Sequence, residues 1–244
     1  MLGLPDMIKA CLFDLDGVLT DTASVHRAAW KATFDPILKA HHQSPFTEQD
    51  YDDYVDGKPR LDGVRDFFAA RGIELPEGSE DDPPGAETVH GVANRKNEWF
   101  HRLLEQRGVG AFDGVRHYLE LARDAGISCA VVSASAHTGA MLERSGLADL
   151  VHDSVDAETI AAEHLRNRPA PDRLLAACRK LAVDPPRAAA FETTRAGVAA
   201  ARAAGFAWVV AVDPTGDPDR LRQLRLAGAD IAVSGLGHLL EHAA

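Results

Sequence analysis

Short apolar runs alternate with longer amphipathic stretches along most of this chain, and this alternation constrains the fold more than any other feature. The runs that we expect to form buried strands are residues 8–14, 127–132, 188–192, 207–213 and 230–233. The helical patterns that separate the later runs cover 113–125, 137–146, 171–182, 195–204 and 217–227. Strands and helices that alternate in this way form a parallel sheet with helices on both faces. The sequence therefore predicts a doubly wound α/β fold.

A different pattern occupies residues 23–108, between the first apolar run and the others. This region has no convincing strand, and its helical patterns cover 23–40, 47–55, 60–71 and 86–107. Residues 74–85 are acidic and rich in Pro and Gly, which is typical of an exposed loop. We therefore expect an α-helical cap domain, residues 23–108, inserted into an α/β core domain made of residues 1–22 and 109–244.

The composition excludes several classes of protein. A formal net charge of −11 at pH 7 disfavours binding to nucleic acid, although a few local Arg and Lys residues suffice to bind a phosphate group. The 3 cysteines are too scattered for a disulfide framework or a zinc site. No secretory signal is visible, and no apolar run reaches the ~18 residues that a membrane helix needs. We expect a cytoplasmic protein without a nucleic-acid or membrane partner.

Two carboxylates stand at the end of the first predicted strand, Asp14 as its last residue and Asp16 two residues later, and Gly17 comes directly after them. Residues at i and i+2 lie on one side of an extended chain, and Gly17 permits a sharp turn. In such a pair, one carboxylate can attack phosphorus and bind a metal while the other moves protons. A purely structural acidic turn is the alternative. A calcium loop is disfavoured, because Val25 stands where its bidentate Glu would be.

Polar side chains also end two later strands, at Ser133 and Glu192. Active sites in parallel sheets lie beyond the carboxyl ends of the strands. We therefore expect Asp14, Ser133 and Glu192 to line one site.

Four segments together resemble the motifs of the haloacid dehalogenase (HAD) superfamily. The first begins at Phe13-Asp14, and its extension Thr20-Asp21-Thr22 with His26 and Trp30 resembles the β-phosphoglucomutase-like branch. The other motifs follow in the family's order, at 131–135 (Val-Val-Ser-Ala-Ser), 168–172 (Arg-Pro-Ala-Pro-Asp) and 191–198 (Phe-Glu-Thr-Thr-Arg-Ala-Gly-Val). The resemblance covers nearly the whole chain. It implies the Rossmann-like HAD core, with the helical insertion acting as a mobile cap.

The resemblance also implies roles for the core residues. Asp14 would be the nucleophile that forms an aspartyl-phosphate, and Asp16 would be the general acid/base. Ser133 and Arg168 would contact the transferring phosphoryl group. The substrate would also contact the next two residues of the second motif, Ala134 and Ser135. The cofactor would be Mg²⁺, at a site formed by Asp14, the main-chain carbonyl of Asp16, Glu192 and Thr193. In this site Glu192 would either bind the ion or orient the groups around it.

Two of these positions depart from the family's usual residues. Arg168 stands where the family has Lys, and Thr193 stands where it has Asp, so one anionic metal ligand is lost. A threonine hydroxyl can still hold a metal-bound water. Three possibilities stay open: an active enzyme with weaker affinity for Mg²⁺, an enzyme specialised for another reaction, and an inactive protein that binds a phosphorylated ligand.

The cap carries a second set of candidate residues. The segment 56–60 (Asp-Gly-Lys-Pro-Arg) resembles the family's cap motif, in which Arg60 would bind the phosphate that is not transferred. By the same resemblance His26 would relay between cap and nucleophile. The remaining candidates for substrate binding in this region are Thr22, Gly57, Lys58 and Lys96. Solvated helix faces are the alternative interpretation of the basic residues.

The function that the resemblance implies is Mg²⁺-dependent phosphoryl transfer on a small phosphorylated sugar. The reaction of the branch converts β-glucose 1-phosphate into glucose 6-phosphate through a bisphosphate. The alternatives are a sugar-phosphate phosphatase and a catalytically impaired protein that binds phosphosugars.

Overall fold

The computed structural model describes residues 2–241. The chain divides into two compact units, one made of Met1–Asp21 and Val109–Ala244 and the other of Thr22–Gly108. We call them the core unit and the cap unit. None of the described helices is long and apolar enough to cross a membrane.

The cap unit is helical, as its sequence pattern predicts. Its helices are α1 (Ala23–Ala40), α2 (Glu48–Asp50, which continues as a π-helical turn over Tyr51–Val55), α3 (Arg60–Ala70) and α4 (Val89–Arg107). Aromatic rings fill its interior. The ring of Phe34 stacks on that of Phe67 with 4.3 Å between centroids, and Trp30 stacks on Phe34 at 4.8 Å. These contacts give the cap unit a hydrophobic core of its own.

The core unit contains a six-stranded parallel sheet with the strand order β3-β2-β1-β4-β5-β6. The strands are β1 (Ala10–Phe13), β2 (Ser128–Val132), β3 (Asp153–Val155), β4 (Ala188–Glu192), β5 (Trp208–Val212) and β6 (Ile231–Val233). The predicted α/β sheet is confirmed. The sequence pattern missed β3, because three residues, of which two are Asp and Ser, do not form an apolar run.

The core helices cover both faces of the sheet. They are α5 (Val115–Asp124), α6 (Thr138–Arg144), α7 (Ala157–Ala162), α8 (Asp172–Lys180), α9 (Arg195–Ala203), α10 (Pro218–Leu226) and α11 (Leu236–Glu241). Side chains alternate across β1. Leu12 belongs to a core cluster with Leu174 of α8 and Val198 of α9, whereas Phe13 contacts Tyr118 of α5. Burial on both faces explains why the strands are continuous apolar runs.

The order of the strands decides where the polar strand ends meet. Since β1 lies between β2 and β4, the residues at or after their carboxyl ends are neighbours at one edge of the sheet. These are Asp14, Ser133 and Glu192.

Candidate active site

Asp14 occupies the position directly after β1 and is buried. Its amide donates a hydrogen bond to the carbonyl of Phe191, which continues the ladder between β1 and β4. Oδ1 of its carboxylate accepts a hydrogen bond from the amide of Leu15 at 3.0 Å. Its other oxygen, Oδ2, accepts hydrogen bonds from the side chains of Arg168 and Thr193. The carboxylate is therefore held in a fixed orientation at the edge of the sheet.

The chain turns sharply after Asp14, as predicted from Gly17. Gly17 has a φ of +87°, and its amide donates to the carbonyl of Thr20 at 3.0 Å. A short parallel bridge pairs Asp16 with Thr20, and Asp16 is partly exposed. A Cβ atom at position 17 would come within 3.1 Å of Cγ2 of Thr193. The turn thus brings the first motif against the fourth.

The second motif forms a loop after β2. Ser133 is buried, and its Oγ accepts a hydrogen bond from the amide of Ser135 at 3.1 Å. Ser135 in turn accepts a hydrogen bond on its Oγ from the amide of His137, also at 3.1 Å. Ala134 and Ser135 are partly exposed. The loop fixes both serine hydroxyls at the end of β2, where the sequence predicts contacts to substrate.

Arg168 joins the two buried carboxylates of the site. Its Nη2 donates to Oε1 of Glu192 at 2.9 Å, and its Nη1 donates to Oδ2 of Asp14 at 3.4 Å. The Arg168 side chain is 6% exposed, so these ion pairs are shielded from water. The planar guanidinium places one nitrogen on each carboxylate, which the single nitrogen of a lysine does with less directional control. The structure therefore brings together three residues that lie far apart in the sequence.

Thr193 also contacts the predicted nucleophile. Its Oγ1 donates a hydrogen bond to Oδ2 of Asp14 at 3.1 Å, so Arg168 and Thr193 bind the same carboxylate oxygen. Thr193 is largely buried. The next residue, Thr194, caps α9 by accepting a hydrogen bond from the amide of Gly197 at 2.9 Å. The helix cap thus fixes the backbone next to Thr193.

Glu192 is the most deeply buried carboxyl of the site, at 1% exposure. Burial raises its pKa to about 7; the charge of Arg168 opposes this rise and the charge of Asp14 adds to it. A Cβ atom at position 197 would collide with the Glu192 carboxylate, so Gly197 leaves the space that Glu192 fills. The glycine of the fourth motif is therefore needed for steric reasons, which the sequence pattern alone does not reveal.

The donor groups of the site bear on whether Mg²⁺ fits there. Oε2 of Glu192 is buried and accepts no hydrogen bond from any described residue, so one carboxylate oxygen is available for a cation. Asp14 and the main-chain carbonyl of Asp16 add oxygen donors, the type that Mg²⁺ prefers. Between residues 2 and 241, however, no group of three or more His, Cys, Asp or Glu side chains is placed to hold a metal ion. The oxygen donors of this site therefore suit Mg²⁺, but the site offers the ion few anionic ligands.

Asp213, another acidic residue at a strand end, has a structural role. Its Oδ2 accepts hydrogen bonds from the hydroxyl of Thr215 at 2.8 Å and from the amide of Asp217 at 3.1 Å. It therefore closes the turn between β5 and α10.

In the cap unit, the partly exposed His26 pairs with the buried Lys96. Nζ of Lys96 lies 2.8 Å from Nδ1 of His26, and Lys96 is 5% exposed. The Lys96 ammonium also lies over the rings of Phe100, at 4.6 Å, and Trp30, at 5.3 Å. Lys96 is therefore not on a solvated helix face, which was the structural alternative for this residue. Thr22, at the start of α1, is fully buried.

The predicted cap motif is also held by specific contacts. Nη1 of Arg60 donates to Oδ1 of Asn97 at 2.9 Å, and burial lowers the pKa of Arg60. Lys58 pairs with Asp66 at 2.6 Å, so its charge is compensated locally. Gly57 has a φ of +68°, which suits the turn before α3. Asn97 was not a candidate from the sequence, although it lies next to Lys96.

Comparisons with known proteins agree with the motifs. The family described as haloacid dehalogenase-like hydrolase matches residues 8–205. A protein of Mycobacterium tuberculosis (strain CDC 1551 / Oshkosh) named beta-phosphoglucomutase is 50% identical over 247 residues, which cover 98% of this chain and 94% of that relative. The beta-phosphoglucomutase of Bacillus subtilis (strain 168) is 30% identical over 82% of this chain and 81% of its own length.

A solved structure shows the same fold. The crystal structure of beta-phosphoglucomutase from Clostridium difficile superimposes with a TM-score of 0.77 at 22% identity, over 97% of this chain and 95% of that one. The fold and the family expected from the motifs are both confirmed. The chain therefore belongs to the haloacid dehalogenase-like hydrolase family, in its β-phosphoglucomutase-like branch.

Proposed function

We propose that the chain catalyses phosphoryl transfer on a small phosphorylated sugar, and that it interconverts β-glucose 1-phosphate and glucose 6-phosphate. The observation that carries this proposal is the Asp14 carboxylate, which is buried at the sheet edge and contacted by Arg168 and Thr193. The names of the relatives from Mycobacterium tuberculosis and Bacillus subtilis support the choice of reaction.

In the proposed reaction, an oxygen of Asp14 attacks the phosphorus of a sugar bisphosphate. A P–Oδ bond forms, the bond to the sugar oxygen breaks, and Asp16 gives a proton to that oxygen. In the return step Asp16 takes the proton from a hydroxyl of the sugar, which attacks the aspartyl-phosphate and frees Asp14. Phosphoryl transition states carry spread negative charge, which the guanidinium of Arg168 and the hydroxyl of Ser133 would stabilise.

Enzymes of this family generally depend on Mg²⁺. In this chain Asp14, the main-chain carbonyl of Asp16, Glu192 and Thr193 would hold the ion. Bound Mg²⁺ would neutralise charge on the phosphoryl oxygens.

The residues of the cap unit would supply specificity. We propose that Arg60, oriented by Asn97, binds the phosphate that is not transferred. A mutase needs such a contact because its intermediate carries a phosphate at both ends, whereas a phosphatase does not. The His26–Lys96 pair is proposed to contact the substrate as well.

The test is incubation with β-glucose 1-phosphate, Mg²⁺ and a trace of glucose 1,6-bisphosphate, with Asp14→Asn as the inactive control. We expect glucose 6-phosphate to appear without a matching release of inorganic phosphate. Release of phosphate alone would replace the mutase by a phosphatase. Binding of sugar phosphates without turnover, and without a need for Mg²⁺, would refute catalysis altogether.

A further inference from the structure

Arg173 is a charged side chain inside the core unit that the proposed mechanism does not use. It is the second residue of α8 and is 2% exposed. Burying a guanidinium is costly unless polar or anionic groups compensate its charge. The groups near Arg173 must therefore supply that compensation.

Two such groups connect Arg173 with Arg168. Nη2 of Arg173 donates a hydrogen bond to Oδ1 of Asn167, the residue directly before Arg168. The second group is Glu192, whose pKa is raised by burial and lowered by the charges of Arg168 and Arg173. Glu192 accepts the hydrogen bond from Arg168 at 2.9 Å. Arg173 is thus linked to Arg168 through the side chain of the adjacent Asn167, and its charge acts on the carboxylate that Arg168 contacts.

We propose that Arg173 is a positioning residue that keeps the guanidinium of Arg168 on Asp14. This inference rests on the proposed phosphoryl transfer at Asp14. Arg168 contacts both carboxylates at once, with Nη2 at 2.9 Å from Glu192 and Nη1 at the longer distance of 3.4 Å from Asp14. The hydrogen bond from Arg173 to Asn167 fixes the segment directly before Arg168 and so holds the guanidinium of Arg168 between the two carboxylates. Without Arg173, Arg168 turns towards Glu192 and loses Asp14.

A double-mutant cycle tests this coupling. Arg173→Met removes the charge and keeps most of the length, and Arg179→Met on the exposed side of the same helix is the matched control. The measured quantity is the rate at which acetyl phosphate phosphorylates Asp14, with Arg168 intact and in an Arg168→Met background.

If Arg173 acts through Arg168, Arg173→Met slows phosphorylation roughly 10- to 100-fold when Arg168 is intact. In the Arg168→Met background the same change slows it less than about threefold. Arg179→Met leaves both rates unchanged. An equal loss in both backgrounds, or no loss in either, overturns the proposal, because a purely structural role does not depend on Arg168.

A crystal structure of Arg173→Met tests the positioning without any activity, and Asn167→Ala replaces it if that variant does not fold. We expect Nη1 of Arg168 to lie beyond the ~4 Å limit of an ion pair with Asp14, with Nη2 still on Glu192. An unmoved Arg168 overturns the proposal. Acetyl phosphate contains no sugar, so phosphorylation of Asp14 without turnover of sugar phosphates would refute the proposed function alone.

Discussion

The substitution Thr193→Asp would show how much the missing carboxylate weakens Mg²⁺ binding. Oγ1 of Thr193 lies 3.1 Å from Oδ2 of Asp14, so an Asp at this position adds a negative charge next to the predicted metal ligand. A unit negative charge about 4 Å from a divalent cation contributes roughly 2 kcal/mol even at the dielectric constant of water. This energy corresponds to about thirtyfold tighter binding of Mg²⁺. Because the site is buried, its dielectric constant is lower than that of water, and thirtyfold is therefore a lower bound.

Arg168 sets the condition under which this gain appears. Its guanidinium contacts the same Oδ2 atom of Asp14, so the new carboxylate has a cation within reach before any metal binds. An Arg–Asp pair would cancel the added charge. The double variant Arg168→Lys with Thr193→Asp provides a smaller cationic head, and we expect it to bind Mg²⁺ more tightly than either single variant.

Calorimetric titration with Mg²⁺ of the wild type, both single variants and the double variant measures these affinities. Thr193→Val is the matched control, since it removes the hydrogen bond to Asp14 and adds no charge. We also expect glucose 6-phosphate to bind more tightly when Mg²⁺ is present. The affinity for Mg²⁺ should rise by the same factor when glucose 6-phosphate is bound. Wild-type affinity equal to that of the double variant would mean that another group replaces the missing carboxylate, and would refute this reasoning.

Three further predictions concern single residues. Asp14→Asn should reduce turnover by several orders of magnitude while the protein stays folded, and a loss within about tenfold in a steady-state assay would exclude it as the nucleophile. Arg60→Ala should raise KM about 10- to 100-fold for a bisphosphate and much less for a monophosphate, as expected when a charged hydrogen bond of roughly 1.5–3 kcal/mol is lost. The raised pKa of Glu192, about 7 against an ordinary 4.5, means that the folded protein holds the extra proton between these pH values. The free energy of unfolding should therefore fall as pH rises through this window. Urea titrations at several pH values should show this fall in the wild type and a flatter profile for Glu192→Gln.

The fold was largely predictable because the pattern of apolar residues along the sequence indicates which segments are buried. Continuous apolar runs located five of the strands, and helical periodicity located α1 in the cap with its observed bounds. The missed elements are those that local patterns do not mark. β3 is three residues long and partly polar, and the helices α7 and α11 cover only Ala157–Ala162 and Leu236–Glu241.

The sequence predicted which residues form the site better than it predicted the contacts between them. Sequence motifs named Asp14, Arg168 and Thr193, but not that the last two share one oxygen of the first. Which partner a charged side chain selects depends on distances between segments that lie far apart in the chain. Asn97 and Arg173 were missed for the same reason, since the sequence of a helix does not distinguish a polar side chain with a buried contact from a solvated one.

The shared oxygen indicates that the two departures from the family's motifs form one change. A guanidinium at 168 and a hydroxyl at 193 both donate to Oδ2 of Asp14, whereas an Asp at 193 would repel that oxygen unless a cation lies between them. Restoring one position alone therefore leaves either two carboxylates beside a bulky guanidinium or an ammonium without its usual partner. Groups that contact the same atom are expected to be non-additive. The double reversion should accordingly exceed the summed effects of the single reversions on Mg²⁺ affinity, and simple additivity in the titrations would show that the two positions act independently.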